Sequence, residues 1–402
     1  MNQSTISMFC NASGFFDPVL SSSFGVASFD WSNNKATWAA AKPMTDEELL
    51  VEQARRTRAQ GGAGRIFTYF NLVKCLPWYT TVREKLADPA YSGWFLKFDP
   101  SATPHVPPCD DVTGQCNPNY HDQLQTPSAH PGGDGYCGDY CDCGNGIPCG
   151  EYLWDHRNLS VRTFLVDVLL GPSFLAADGG GLISGAFIDD FWCSNLLNGT
   201  GQCTDPVQGP TEIDRHSQAD MGLSDEDIRD ITLGWLDTMT RAQDALVKAG
   251  GYTWSLMANG GENADASPYM IKQGASCAAA IAAACETGSQ WQAAPLLMGL
   301  TPSNGTASLP FFDAELAAFL LMRGSHAYLG WGEWGMSWPA GMTWNSTGGK
   351  VLPLPQLLAT GDWGAPLGLC VNEGAGTFSR VFPAGTVRLN CETYEATLPP
   401  SL

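Results

Sequence analysis

Apolar positions along this chain alternate between two periods, and each change of period marks an element. Residues 24–31 (FGVASFDW) read as a strand ending in Asp30 and Trp31, and residues 65–73 (RIFTYFNLV) as a second strand with Asn71 near its end. Between them, residues 45–60 open on acids and close on arginines, the charge order that a helix dipole favours. Strand, helix and strand at this spacing predict a parallel βαβ unit. Residues 151–158 predict a short strand ending in Asp155 and His156, and residues 160–170 an amphipathic helix. The stretch 182–193 (LISGAFIDDFWC) reads as a buried strand that delivers Asp189, Asp190, Phe191 and Trp192 at its C-terminal end.

The alternation continues beyond it. Ser224 before three acids predicts an N-cap, with the helix running to about residue 249 and stopping at Gly250 and Gly251. Residues 252–259 (YTWSLMAN) predict a strand that ends in Asn259, before a glycine loop holding Glu262. An alanine-rich helix over 267–286, a strand over 294–300, a helix over 312–323 and a strand over 326–332 follow. The last of these leads into WGEWGMSW, where Glu333 lies between Trp331 and Trp334. Seven or eight repeats of strand and helix predict an α/β fold, a (β/α)8 TIM barrel over 20–355. A doubly wound sheet is the second choice, because no glycine-rich phosphate loop follows any strand. Periodicity fails from about 77 to 150, apart from room for a short element in 86–98 (LADPAYSGWFLKF), which predicts a cysteine-rich loop insertion. Residues 356–402 predict a small C-terminal β-element with short strands at TFSRVF, TVRLNC and YEATL, tied by Cys370 and Cys391.

Composition narrows the setting. Fourteen cysteines are too many for a reducing compartment and predict disulfides, with close pairs such as Cys193 and Cys203 or Cys277 and Cys285. The cluster CGDYCDCGNGIPC has neither paired CxxC spacing nor a histidine, so zinc is the weaker reading, and no metal or cofactor is expected. Six N-x-S/T sequons, at Asn2, Asn11, Asn158, Asn198, Asn304 and Asn345, agree with a secretory route. The first residues lack a basic and apolar leader, so secretion is inferred from the cysteines, with the leader taken as already removed. No apolar run reaches membrane-spanning length, and a formal charge of −20 argues against nucleic acid and anionic membranes. A monomer is expected.

Acids at strand ends, beside many aromatic rings, fit a carbohydrate site. Glycoside hydrolysis needs two carboxyl groups flanking the scissile bond. Asp190 is the preferred nucleophile or base, and Asp189 the neighbour that orients a group or binds a hydroxyl. Strand alternation keeps both from facing one barrel centre. Glu333, between tryptophans that raise a carboxyl pKa, is the first choice of proton donor and Glu262 the second. Trp31, Trp192, Trp331 and Trp334 are expected to stack on sugar rings, and Asp30, Asn71, Asp155, His156 and Asn259 to bind hydroxyls. A G-x-S-x-G elbow and an H-E-x-x-H helix are both missing from the sequence.

The segments G-A-F-I-D-D-F-W, GDWGAPLG and F-S-R-V-F-x-x-G-T-V-R-L-N, in that order, resemble the glycosyl hydrolase-like families with a TIM-barrel fold. Those families carry a strand-4 GxxxDD segment ahead of a C-terminal R-x-F-x-x-G-x-V-x-x-N segment. The resemblance covers the central strand and roughly the last fifty residues, and the cysteine-rich insertion matches nothing in it. It implies a glycosidase-like barrel with Asp190 or Asp189 at the catalytic position. The expected function is a secreted glycoside hydrolase that cleaves an O-glycosidic bond in a poly- or oligosaccharide. The alternative is a non-catalytic carbohydrate-binding or cell-surface protein on the same scaffold.

Overall fold

The structure, a computed structural model, describes residues 5–9, 15–30, 41–62, 64–101, 119–120, 143–148, 150–175, 181–189, 215–255, 274–287, 296–300, 311–324, 327–331 and 356–402. Its centre is a parallel sheet of β1 (Thr5–Phe9), β2 (Val26–Phe29), β3 (Arg65–Asn71), β6 (Gly185–Asp189), β7 (Tyr252–Ser255), β8 (Leu296–Leu300) and β9 (Ala327–Trp331). The strand order is β7-β6-β3-β2-β1-β9-β8. Strands consecutive within this sheet therefore lie side by side except β7 and β8, which stand at its two ends, and the first strand pairs with the last, Ile6 opposite Gly330. Strand β1, read from sequence as no element at all, lies ahead of residue 20 and joins the two halves.

Arg65 shows that the sheet is curled. Its guanidinium lies 3.9 Å from the ring centroid of Tyr252 on β7 and 5.6 Å from that of Tyr328 on β9. In a flat sheet those two strands, five places apart, would be separated by roughly 24 Å. One guanidinium touching both rings leaves them no more than about 10 Å apart, so the sheet wraps round its inner face. Arg65 also donates from Nη2 to the Tyr252 hydroxyl at 3.1 Å, which closes the N-terminal end of the wrap.

Outside the sheet lie α2 (Asp46–Arg58), α4 (Leu159–Leu169), α6 (Asp225–Lys248) and α8 (Phe312–Met322). Shorter helices are α1 (Pro18–Ser21), α5 (Arg215–Asp220) and α9 (Gln356–Thr360). Helix α6 follows its sequence signals closely. Ser224 accepts from Asp227 N while Asp227 bonds back to the Ser224 N–H, a complete capping box. Its buried stripe is Ile228, Ile231, Trp235, Met239, Ala242 and Leu246. Gly234 lets α6 approach the chain at His156, since a Cβ there would stand 2.1 Å from the His156 carbonyl oxygen. Gly185, at the start of β6, is needed for the same reason, because a Cβ would fall 1.7 Å from Tyr252 O on β7.

Two readings of the sequence are corrected. The strand expected over 151–158 is β5 (Tyr152–Leu153), and it pairs antiparallel with β4 (Lys74–Cys75) in a sheet of its own. Asp155 and His156 therefore end no strand of the barrel-like sheet. Within the stretch expected as a loop, the short element allowed over 86–98 is the 3-10 turn Pro89–Trp94, and α3 (Thr80–Ala87) precedes it. Residues 102–118, 121–142 and 149 of the insertion, with Cys137, Cys141 and Cys149, lie outside the described residues, while Cys143 is described and disulfide-bonded.

The cysteine pairing is the second correction. The C-terminal strands β10 (Val371–Gly374), β11 (Thr377–Phe382), β12 (Gly385–Asn390) and β13 (Glu395–Thr397) form a four-stranded antiparallel sheet. Cys370 and Cys391 do not bond to each other. Cys277 bonds to Cys391 and Cys285 to Cys370, so both bonds run from α7 (Ala275–Thr287) to this sheet. Eight residues along a helix span about 12 Å, beyond the roughly 7 Å Cα limit of a disulfide, so Cys277 and Cys285 cannot reach each other. Strands β10 and β12 are likewise two places apart, about 10 Å. Arg380 on β11 locks the same sheet onto α8, donating to Leu320 O at 3.2 Å, Leu321 O at 2.9 Å and Arg323 O at 2.8 Å. It caps the C-terminus of that helix with a cation, which gives the R-x-F segment its physical role.

Candidate functional site

Strand parity decides which side chains face the inside of the curl. Thr68 donates to Ser173 O at 2.7 Å, and the Phe70 ring packs 4.9 Å from Phe174, both in the segment after α4, so Ile66, Thr68 and Phe70 face the helices. Arg65, Phe67, Tyr69 and Asn71 then face inward. The register opposes Tyr69 to Phe187 and Asn71 to Asp189, and the Tyr69 and Phe187 rings meet edge-on at 5.7 Å. Asp189, the last residue of β6, therefore shares the inner face with Asn71 and Tyr69 at the C-terminal end of the sheet, and it is half-buried. On β2 the same parity places Ser28 and Asp30 inward, with Asp30 buried just past the strand's end.

This end of the sheet is acidic and polar. Asn71, expected to bind a hydroxyl, makes contacts within the protein: Oδ1 accepts from Val73 N and Lys74 N at 2.8 Å each, and Nδ2 donates to the Tyr69 hydroxyl at 2.9 Å. It closes the turn after β3 and holds Tyr69. The Tyr79 hydroxyl donates to Tyr69 O at 2.7 Å. Burial raises the Tyr79 pKa well above the usual phenol range, and Asp46, Asp30 and Glu47 add to the effect. Glu47 on α2 accepts from Thr81 N at 2.7 Å and from Thr81 Oγ1 at 2.8 Å, so it caps α3 from outside that helix. Burial pushes its carboxyl up to about 7 in spite of those two bonds.

Asp155 and His156, expected to bind hydroxyls, are held here by contacts within the protein. Asp155 grips Arg157 through both carboxylate oxygens, at 2.9 Å and 2.8 Å, and Arg157 continues to Asp227 at 2.5 Å. The trio ties the start of α4 to the start of α6. His156 is fully buried, with Nε2 donating to Leu72 O and Nδ1 3.0 Å from the Thr238 hydroxyl. Burial lowers its pKa to about 4, so the ring stays neutral and offers no free edge. The sequence carried no sign of this, since the contacts come from Leu72 and Thr238.

Trp331 ends β9 in the backbone. Asp190, Glu262, Glu333, Trp31, Trp192, Asn259 and Trp334 lie outside the described residues. Among the described residues no group of His, Cys, Asp and Glu is arranged to hold a metal ion, and no helix is long and apolar enough to cross a membrane. What the described residues provide is a carboxylate, Asp189, on the inner face at the C-terminal end of a curled parallel sheet, with Asp30 on the same face. Such groups can accept hydrogen bonds from hydroxyls, take up a proton or attack an electrophilic carbon.

No family model matches the sequence, and no curated protein matches it. Among solved structures, the chain is similar to an alpha-glucosyl transfer enzyme at 12% identity, covering 82% of this chain and 67% of the other with a TM-score of 0.42. It is also similar to sucrose 6F-phosphate phosphorylase from Thermoanaerobacter thermosaccharolyticum, at 8% identity over 99% of this chain and 95% of that one, TM-score 0.44. A third is an alpha-amylase from Malbranchea cinnamomea, at 10% identity over 97% and 85%, TM-score 0.39. TM-scores below 0.5 do not establish a shared fold or a shared activity.

Proposed function

We propose that the chain is a (β/α)8 barrel glycoside hydrolase, secreted and disulfide-bonded, that cleaves an O-glycosidic bond in a poly- or oligosaccharide. The observation that carries the reading is Asp189 on the inner face at the C-terminal end of β6. Sites of parallel barrels form at that end, where strand-end acids from several strands converge. Asp189 is the nucleophile or base in this reading, because parity turns it inward. Asp190, the next residue, lies outside the described residues and is the alternative for the same role. Asp30 binds a substrate hydroxyl, and Glu333, with Glu262 as second choice, supplies the proton donor. The donor protonates the leaving oxygen while the base activates water or attacks the anomeric carbon.

Reducing-sugar release over a broad glycan panel tests this, comparing wild type with Asp189→Asn and Asp190→Asn. Asp189→Asn is expected to lower kcat by about 10²–10⁴-fold with the substrate still bound. A fully active Asp189→Asn protein, or no release by folded wild type on any glycan, would overturn the proposal.

A further inference from the structure

Asn158 is the one sequon asparagine among the described residues, and it stands at the edge of an aromatic groove on the outer layer. The groove holds about 730 Å³ and lies between α3, the Pro89–Trp94 turn and α4. Its surface is a chain of rings: Tyr91 meets Trp94 edge-on at 4.5 Å, and Trp94 lies 5.0 Å from Phe164. The fully buried Trp154 supports Phe164 from beneath at 5.8 Å. Polar groups rim the rings: Lys85, whose ammonium sits 4.3 Å over Tyr91, with Thr163 and Asp167. Leu159, next to the asparagine, is 62% exposed.

We propose that Asn158 carries an N-linked oligosaccharide whose first sugars lie on the Tyr91–Trp94–Phe164 surface. The asparagine is placed for both tasks. Its Oδ1 caps α4, accepting from Ser160 N at 3.0 Å and from the sequon hydroxyl Ser160 Oγ at 2.7 Å. Its Nδ2 donates one hydrogen to Gly93 O at 3.1 Å, next to Trp94, and the second hydrogen is the one replaced. In the transfer, Nδ2 bonds to the anomeric carbon of a polyprenyl-diphosphate-linked oligosaccharide. The amide proton goes to base, and the lipid diphosphate leaves with the electrons of the broken C–O bond. A pyranose has an apolar C–H face and a rim of hydroxyls, which matches an aromatic floor with a polar border. Attachment beside Trp94 fixes the sugar at high effective concentration over the rings, which is why the occupant is the protein's own glycan.

The test uses protein secreted from a glycosylating eukaryotic host. The peptide containing Asn158 is weighed before and after peptide-N-glycanase, and the expected result is an oligosaccharide mass whose removal leaves aspartate. Thermal unfolding then follows Asn158→Asp, which keeps the capping oxygen, in wild-type, Trp94→Ala and Tyr91→Ala backgrounds. Losing the glycan is expected to lower Tm by about 2 °C or more in the wild-type background and by less than half of that where either ring is gone. The charge added at the cap is common to every background and cancels. If Trp94→Ala does not fold, Tyr91→Ala alone carries the comparison. Three outcomes overturn the proposal: an unmodified Asn158, an equal Tm loss in all backgrounds, or a groove that binds free oligosaccharide while the attached glycan shows no coupling to the rings.

Discussion

Removing the two disulfides between α7 and the C-terminal sheet should reveal their nesting through stability alone. Cys285–Cys370 closes 85 residues, and the 114-residue Cys277–Cys391 loop encloses it. In the chain-entropy account the inner loop by itself stabilises by about 4.6 kcal/mol. With that bond in place the outer one closes only about 30 links and adds about 3.6 kcal/mol. Removing the outer pair (Cys277→Ala with Cys391→Ala) is thus expected to cost about 3.6 kcal/mol, the inner pair about 3.4, and all four about 8. The fourfold variant is then worse than the two pairs added together by about 1 kcal/mol, because either bond alone shortens the loop that the other must close. Bonds between sequence neighbours, Cys277 with Cys285 and Cys370 with Cys391, would behave differently. They close short, separate loops worth about 2.5 and 3.3 kcal/mol, strictly additive at about 6. Urea unfolding followed by tryptophan fluorescence measures the costs, and non-reducing peptide mapping reads the pairing. Additive losses near 6 kcal/mol, or a peptide joining Cys277 to Cys285, would refute the reasoning.

Three other expectations concern buried ionisable groups. Burial raises the Glu315 carboxyl on α8 to about 8 against an ordinary value of 4.5, so the folded state binds the extra proton between those pH values. Stability from this group is full below about pH 4.5 and falls as pH rises toward 8, by roughly 3–5 kcal/mol in all. Glu315→Gln is expected to flatten that slope in a series of melts, and an unchanged slope would show that the group titrates normally. His156 works in the opposite sense, its pKa lowered by burial from 6.5 to about 4. Its contribution is full above about pH 6.5 and is lost as pH falls to 4, by roughly 2–3 kcal/mol; NMR titration of the imidazole finding a midpoint above 6 would sink this. Arg380→Met leaves the carbonyls at the end of α8 and Gly368 O without their donor, at a cost of about 2–4 kcal/mol. A variant with the wild-type urea midpoint would contradict the capping role.

Several features of this chain are legible in its sequence alone, because they rest on interactions only a few residues long. Ser224 and Asp227 satisfy each other within one helical turn, so the start of α6 is readable. The buried runs of β2, β3 and β6 follow from local hydrophobicity, and their spacing from the helices between them implies a parallel sheet. Acids at the ends of those strands can be named in the same way. Other features depend on partners distant in sequence, and only tertiary structure decided them. Thr5–Phe9 becomes a strand because β2 and β9 flank it, and five residues carry too weak a period to announce that. Tyr152–Leu153 resembles a barrel strand locally, but its hydrogen bonds go to Lys74–Cys75. The inward turn of Asp189 is fixed by its register with Asn71, since a strand buried on both faces shows no alternation from which parity could be read. The disulfides join residues 85 and 114 positions apart, and His156 is neutral because Leu72 and Thr238 enclose it. Local periodicity tells where the chain can pair, and packing selects which partner and which face it takes.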